Sequence, residues 1–157
     1  MRYVAPTYGP DDDPDDWALA GLLHDADYER WPEMHPNQIV AWLNERGEHH
    51  VAHAISAHHT KWSVPHVSEL DKGLLACDEL TGFIVAYCRL RPGGIIGLKP
   101  KSVVKKLKDR SFAASVDRDE ISTGATLLQV EAAEHTQLVL DALSEHREEL
   151  ELPGAAQ

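Results

Sequence analysis

The breaks in this chain constrain it most. Pro36, Gly47, Pro65 and the run Arg91-Pro92-Gly93-Gly94 fall at the edges of apolar runs, and no run alternates apolar and polar residues for long. A half-buried strand shows that alternation, whereas a core-facing helix repeats its apolar positions every three or four residues. The pattern therefore predicts an all-α fold. The length of 157 residues suits one domain with a sizeable core, spanning 1–157. Nothing in the sequence reads as an internal repeat or a low-complexity linker.

The elements follow from their punctuation. An acidic turn, YGPDDDPDD over residues 8–16, precedes WALAGLLHDADY. Asp15 or Asp16 is the expected cap of a helix that starts at Trp17 and is apolar almost all round until His24. Pro36 opens a helix running to about Arg46, with Gly47 as its stop. The next helix covers Glu48 to Thr60, and Val51, Ala54, Ile55 and His58 share one face of it. Ser68 with Asp71 three residues on is a capping-box variant. It opens a long helix to about Leu90, with Leu70, Leu74, Thr81 and Val85 inward and Asp78 among them. One amphipathic helix is expected for the tail, from about Thr126 to Leu150.

Composition removes several classes of function. Asp plus Glu number 26 against 15 Lys plus Arg, a net charge of -11, and a general nucleic-acid binder would show a basic face instead. With 43% apolar residues and four Trp, the chain is no acidic disordered tail. Cys77 and Cys88 are too few for a disulfide framework and read as small core residues. No segment resembles a signal peptide or a membrane span, so a cytoplasmic setting away from membranes is expected. The unusual count is ten His, seven of them from His24 to His59.

Three helices bring a polar group inward. His24-Asp25 ends the first apolar helix, His58 continues an apolar face, and Asp78 lies in the stripe of the long helix. A buried carboxylate is costly unless it is paired or metal-bound. A lone inward His is commonly a core residue with one hydrogen bond, and a lone Asp can cap or pair with Arg. One divalent cation would satisfy all of them together, and mixed N/O donors suit Mn, Fe, Zn, Co or Ni, with Mg also admissible.

These residues carry a resemblance. GLLHDADYE, then His35-Pro36, AISAHH and LLACDELTG together resemble the HD-domain superfamily of metal-dependent phosphohydrolases. The long helix followed by KSVVKKLKDRSFAASVDR is similar to a subgroup of small bacterial members. The resemblance implies an HD-like bundle of about six helices. It also implies His24 and Asp25 as the doublet ligands, and Asp78 as the final Asp ligand. His35 and His58 match the extra histidines of two-metal members, His59 replacing or joining His58, and Asp25 would then bridge. Asp27 can orient a ligand, accept a proton, or simply belong to a helix-end turn. The family's first His ligand, on a helix before the doublet, has no counterpart here. MRYVAPTYG resembles the end of that helix, so the chain is expected to begin inside it. A shortened first helix would expose apolar surface and favour a homo-oligomer.

The function implied is hydrolysis of phosphoesters of nucleotide-like or other small phosphorylated substrates, with water as nucleophile. The cofactor would be one or two divalent ions. Lys101, Lys105 and Arg110, from the one basic segment, would meet the substrate phosphate, or else are a solvated face. Two alternatives stand beside this reading. One is a non-catalytic metal- or nucleotide-binding module, and the other a di-iron oxygenase. The histidines outside the set, His49, His50, His53, His66, His135 and His146, read as loop, surface or packing groups.

Overall fold

A computed structural model describes residues 1–152. The described residues form eight α-helices and one 3-10 turn, with no strand. This is the all-α fold expected, with more and shorter helices than the sequence suggested. None of these helices is long and apolar enough to cross a membrane. The chain divides into two compact units, Met1–Leu75 and Ala76–Gln157.

The first unit holds α1 (Ala5–Tyr8), α2 (Pro14–Leu23), α3 (Asn37–Asn44), α4 (His49–His58), the 3-10 turn Thr60–Trp62 and the start of α5 (Glu69–Leu90). Helix α2 begins earlier than its apolar run suggests. Asp13, not Asp15 or Asp16, is the N-cap, and its carboxylate accepts from the Asp15 N–H at 2.9 Å. Pro14 sits at the first helical position, where its missing N–H is harmless, and Asp15 and Asp16 complement the positive helix end. Nor is α2 buried all round, because Leu22 is 76% exposed. Its anchor is Trp17, fully buried, whose indole N–H donates to Asp12 at 3.0 Å.

The ring of Trp17 lies in a slot between two glycines. A Cβ on Gly73 would stand 2.3 Å from its Cζ3, and one on Gly9 would stand 2.8 Å from its Cζ2. Helix α4 packs against both α2 and α3 through Val51, Ala54 and Ile55, all buried. Gly47, at φ +83°, ends the α3 segment as expected, and the bonds Glu48 N–H to Leu43 and Gly47 N–H to Asn44 make a Schellman motif. The opening of α5 is a full capping box. Asp71 accepts from the Ser68 N–H and hydroxyl, and the Asp71 N–H returns a bond to the Ser68 hydroxyl.

The second unit holds the rest of α5, with α6 (Pro100–Leu107), α7 (Arg118–Leu127) and α8 (Ala132–Glu145). The single tail helix expected from Thr126 to Leu150 is in fact two. Gln129 takes φ +55°, and its N–H bonds Thr126 while the Val130 N–H bonds Ala125. That is a Schellman stop without glycine, so no sequence signal announced it. On α5 the buried side also differs from the expected stripe. Leu80, Phe83, Ile84 and Cys88 are buried, whereas Thr81 and Val85 are half-buried. Cys77 and Cys88 are buried free thiols, and burial pushes Cys77 up to about 12, the behaviour of an inert core residue. Arg118 ties the preceding loop together by donating to the carbonyls of Phe112, Ala113 and Val116, with its guanidinium over the Phe83 ring.

Candidate metal centre

The first unit converges three imidazoles on one carboxylate. Helix α2 ends at Leu23, which leaves His24 as its C-cap and Asp25 in the turn beyond. The Asp25 Oδ2 lies 3.4 Å from His24 Nε2. Its Oδ1 lies 3.3 Å from His35 Nε2 and 4.0 Å from His58 Nε2. His24 is thus on one carboxylate oxygen, and His35 and His58 are on the other. One donor atom each from Asp25, His35 and His58 falls within 4.8 Å of the others.

Each imidazole is held by its other nitrogen. His24 Nδ1 faces the Gly21 carbonyl at 3.0 Å, and His58 Nδ1 faces the Ile55 carbonyl at 2.6 Å. A carbonyl only accepts, so both Nδ1 atoms carry the proton in the neutral ring and the Nε2 lone pairs face Asp25. His35 Nδ1 meets Asp27 Oδ1 at 2.6 Å. The other Asp27 oxygen accepts the N–H groups of Gln38 and Ile39 at 2.9 and 3.0 Å, in the first turn of α3. Asp27 therefore acts twice, capping α3 and holding the ring of His35. Carboxylate or carbonyl support behind each imidazole is what a metal-binding histidine requires.

Burial gives the cluster a direction. The side chains of His35 and His58 are 3% and 5% exposed, whereas that of Asp25 is 57% exposed. The group opens to solvent on the Asp25 side. His59 lies beside it, its ring centre 5.2 Å from that of His35, and half-exposed. Two neighbours carried no signal in the sequence. Tyr28 stands edge-on to His35 at 5.3 Å, and the Trp62 indole N–H donates to the His35 carbonyl at 2.7 Å. Tyr28 lies within GLLHDADYE, but both contacts are made outside the α-helices, so helical periodicity could not reveal them.

The donors fit a divalent cation. Ligand atoms bound to one ion at about 2.1 Å stand no more than about 4.2 Å apart, and small side-chain shifts reach that from the distances seen. Two imidazole nitrogens and a carboxylate oxygen suit a first-row transition ion. The remaining expected residues belong to the second unit. Asp78 is half-buried on α5, Lys101 and Lys105 are exposed on α6, and Arg110 is exposed beyond it. Next to Asp78, Glu79 is raised to about 7, first by burial and then by the charges of Asp78, Glu120 and Asp117. Of the other histidines, His53 is not simply solvated, because its Nδ1 lies 3.1 Å from the fully buried Asp71 carboxylate. His66 likewise has a buried Nε2.

Comparison with known protein families matches residues 1–86 to the family described as HD domain, which covers the whole first unit and most of α5. No curated protein and no solved structure matches the chain significantly.

Proposed function

The chain belongs to the HD-domain family, a family of metal-dependent hydrolases, and from that premise we propose that it hydrolyses phosphoester bonds of nucleotide-like or other small phosphorylated molecules, with water as nucleophile. The observation that carries this reading is the Asp25 carboxylate, with His24 on one oxygen and His35 and His58 on the other. An exposed carboxylate backed by oriented imidazoles, two of them buried, is a donor set with one open side. Catalytic metal sites differ from closed structural ones in that respect.

His24 and Asp25 would hold one ion and His35 and His58 a second, with Asp25 shared between them and His59 beside His58. Asp78 would be the further ligand that the family resemblance implies. When bound, the ions would polarise the phosphoryl group and acidify water at neutral pH. The chain's own residues do the rest. Asp27 keeps the proton of His35 on Nδ1, and the Ile55 carbonyl does the same for His58, so both rings stay in the binding tautomer. The buried side of the cluster excludes water, while the Asp25 side admits substrate.

The experiment is metal analysis by ICP-MS on protein purified without a metal-affinity column. It is followed by phosphate-release assays on p-nitrophenyl phosphate, bis-p-nitrophenyl phosphate and 5′-nucleotides with Mn, Fe, Zn, Co, Ni or Mg added. One or two equivalents of metal with phosphoester turnover support the reading. No metal after soaking, together with no turnover, would overturn it in favour of a non-catalytic module.

A further inference from the structure

The second unit contains a cavity of about 390 Å³ that the metal-ligand cluster does not use. Its volume lies in the range of small-molecule sites. The walls come from α5, the end of α6, α7 and α8, and the floor is apolar, with Leu80, Leu107, Ile121 and Ala125. Buried His135 closes one side. Its Nε2 lies 2.9 Å from the Ala76 carbonyl and so carries the proton, while burial lowers its affinity for a second proton. The ring there is therefore neutral at pH 7.

The rim has the opposite character. Lys108 and Arg110 line the opening, exposed, and neither side chain is engaged in an ion pair among the described residues. Arg118 also lines the cavity. Its terminal nitrogens are spent on loop carbonyls, but its Nε is buried without a hydrogen-bond partner. In a chain of net charge -11, an apolar pit rimmed by uncommitted cations is complementary to one kind of molecule.

We propose that this cavity binds a small amphipathic anion: an aliphatic or aryl body on the Leu80–Ile121 floor and a carboxylate held at the rim by Lys108 and Arg110. The proposal does not rest on the metal cluster, since none of His24, Asp25, His35 and His58 lines the cavity, and it places Arg110 at this rim instead of at the phosphate of a hydrolysed substrate.

The test is a two-dimensional NMR titration of the whole protein with octanoate, and with octylammonium and octanol as probes of the same body. Octanoate is expected to saturate with shifts confined to cavity residues. Octanol should bind about tenfold more weakly, the loss of one charged hydrogen-bonded contact, and octylammonium should not bind. Arg110→Gln with Lys108→Gln, both exposed positions, should weaken octanoate about tenfold and leave octanol unchanged. Ala125→Leu should fill the floor and weaken both. If that variant does not fold, the rim pair alone decides. No octanoate binding at millimolar concentration, or octylammonium binding as well as octanoate, would overturn the proposal. So would octanoate affinity that is unchanged in the rim variant.

Discussion

Asp27 and His35 are joined by a 2.6 Å hydrogen bond between two side chains almost sealed from solvent, 4% and 3% exposed. The same Asp27 receives two backbone N–H groups from the first turn of α3. The orientation of one imidazole in the cluster is thus set by the residue that starts a helix.

Asp27→Asn separates those two tasks. The amide oxygen can still cap α3, but its NH₂ group would face His35 Nδ1 and drive the proton to Nε2. Metal affinity should fall about 10–100-fold, the range for losing a ligand's hydrogen-bonding support, with the fold intact by circular dichroism. Affinity is read by competition with a chelator. Wild-type affinity in this variant would remove Asp27 from the site.

Asp25→Ala removes the carboxylate on which the three imidazoles converge. It should abolish metal retention and phosphoester turnover together, and Asp78→Ala should do the same. His49→Ala, at an exposed position whose Nδ1 meets the Asn44 side chain, should leave both unchanged. Metal content of the three variants by ICP-MS decides, and full activity in Asp25→Ala would defeat the assignment.

The slot that holds Trp17 predicts a stability effect. A methyl on Gly73 would lie 2.3 Å from the indole, so Gly73→Ala forces a displaced ring or a shifted helix. A cost of about 1–3 kcal/mol is expected for such overpacking. Trp17→Ala should cost about 3–5 kcal/mol by leaving a cavity. Urea melts followed by far-ultraviolet circular dichroism measure both. A Gly73→Ala variant as stable as the parent would mean the ring is not confined there.

Stability should fall as the solution is acidified. Burial lowers the pKa of His135 below its ordinary value of 6.5, so the unfolded chain takes up a proton that the native state refuses. Below about 6.5 the unfolded state binds more protons, and unfolding free energy rises with pH through that window and levels off above it. Burial lowers His66 as well, in the same direction. His135→Gln can still donate to the Ala76 carbonyl but cannot be protonated, so its stability should depend less on pH between 7.5 and 5.5 in urea melts. Parallel curves for the variant and the parent would rule out His135 as a source.

Much of the architecture was legible because it is local. The Ser68–Asp71 box, the Gly47 stop and the inward position of His58 each depend on residues within one or two helical turns, where spacing decides who meets whom. The tail was misread for a local reason too. Gln129 in the left-handed region breaks the helix without glycine or proline, and Leu127, Val130 and Leu138 keep an apolar rhythm across the break.

By itself, the sequence determined the helical class, the family, and which His and Asp residues were candidates for the cluster. Only the tertiary structure decided how they act. That His35 and His58 turn Nε2 toward Asp25, that Asp27 serves both His35 and α3, and that Trp17 lies against Gly73 are contacts across eight to 56 residues of chain. Packing brings such residues together, and one-dimensional spacing carries no record of it.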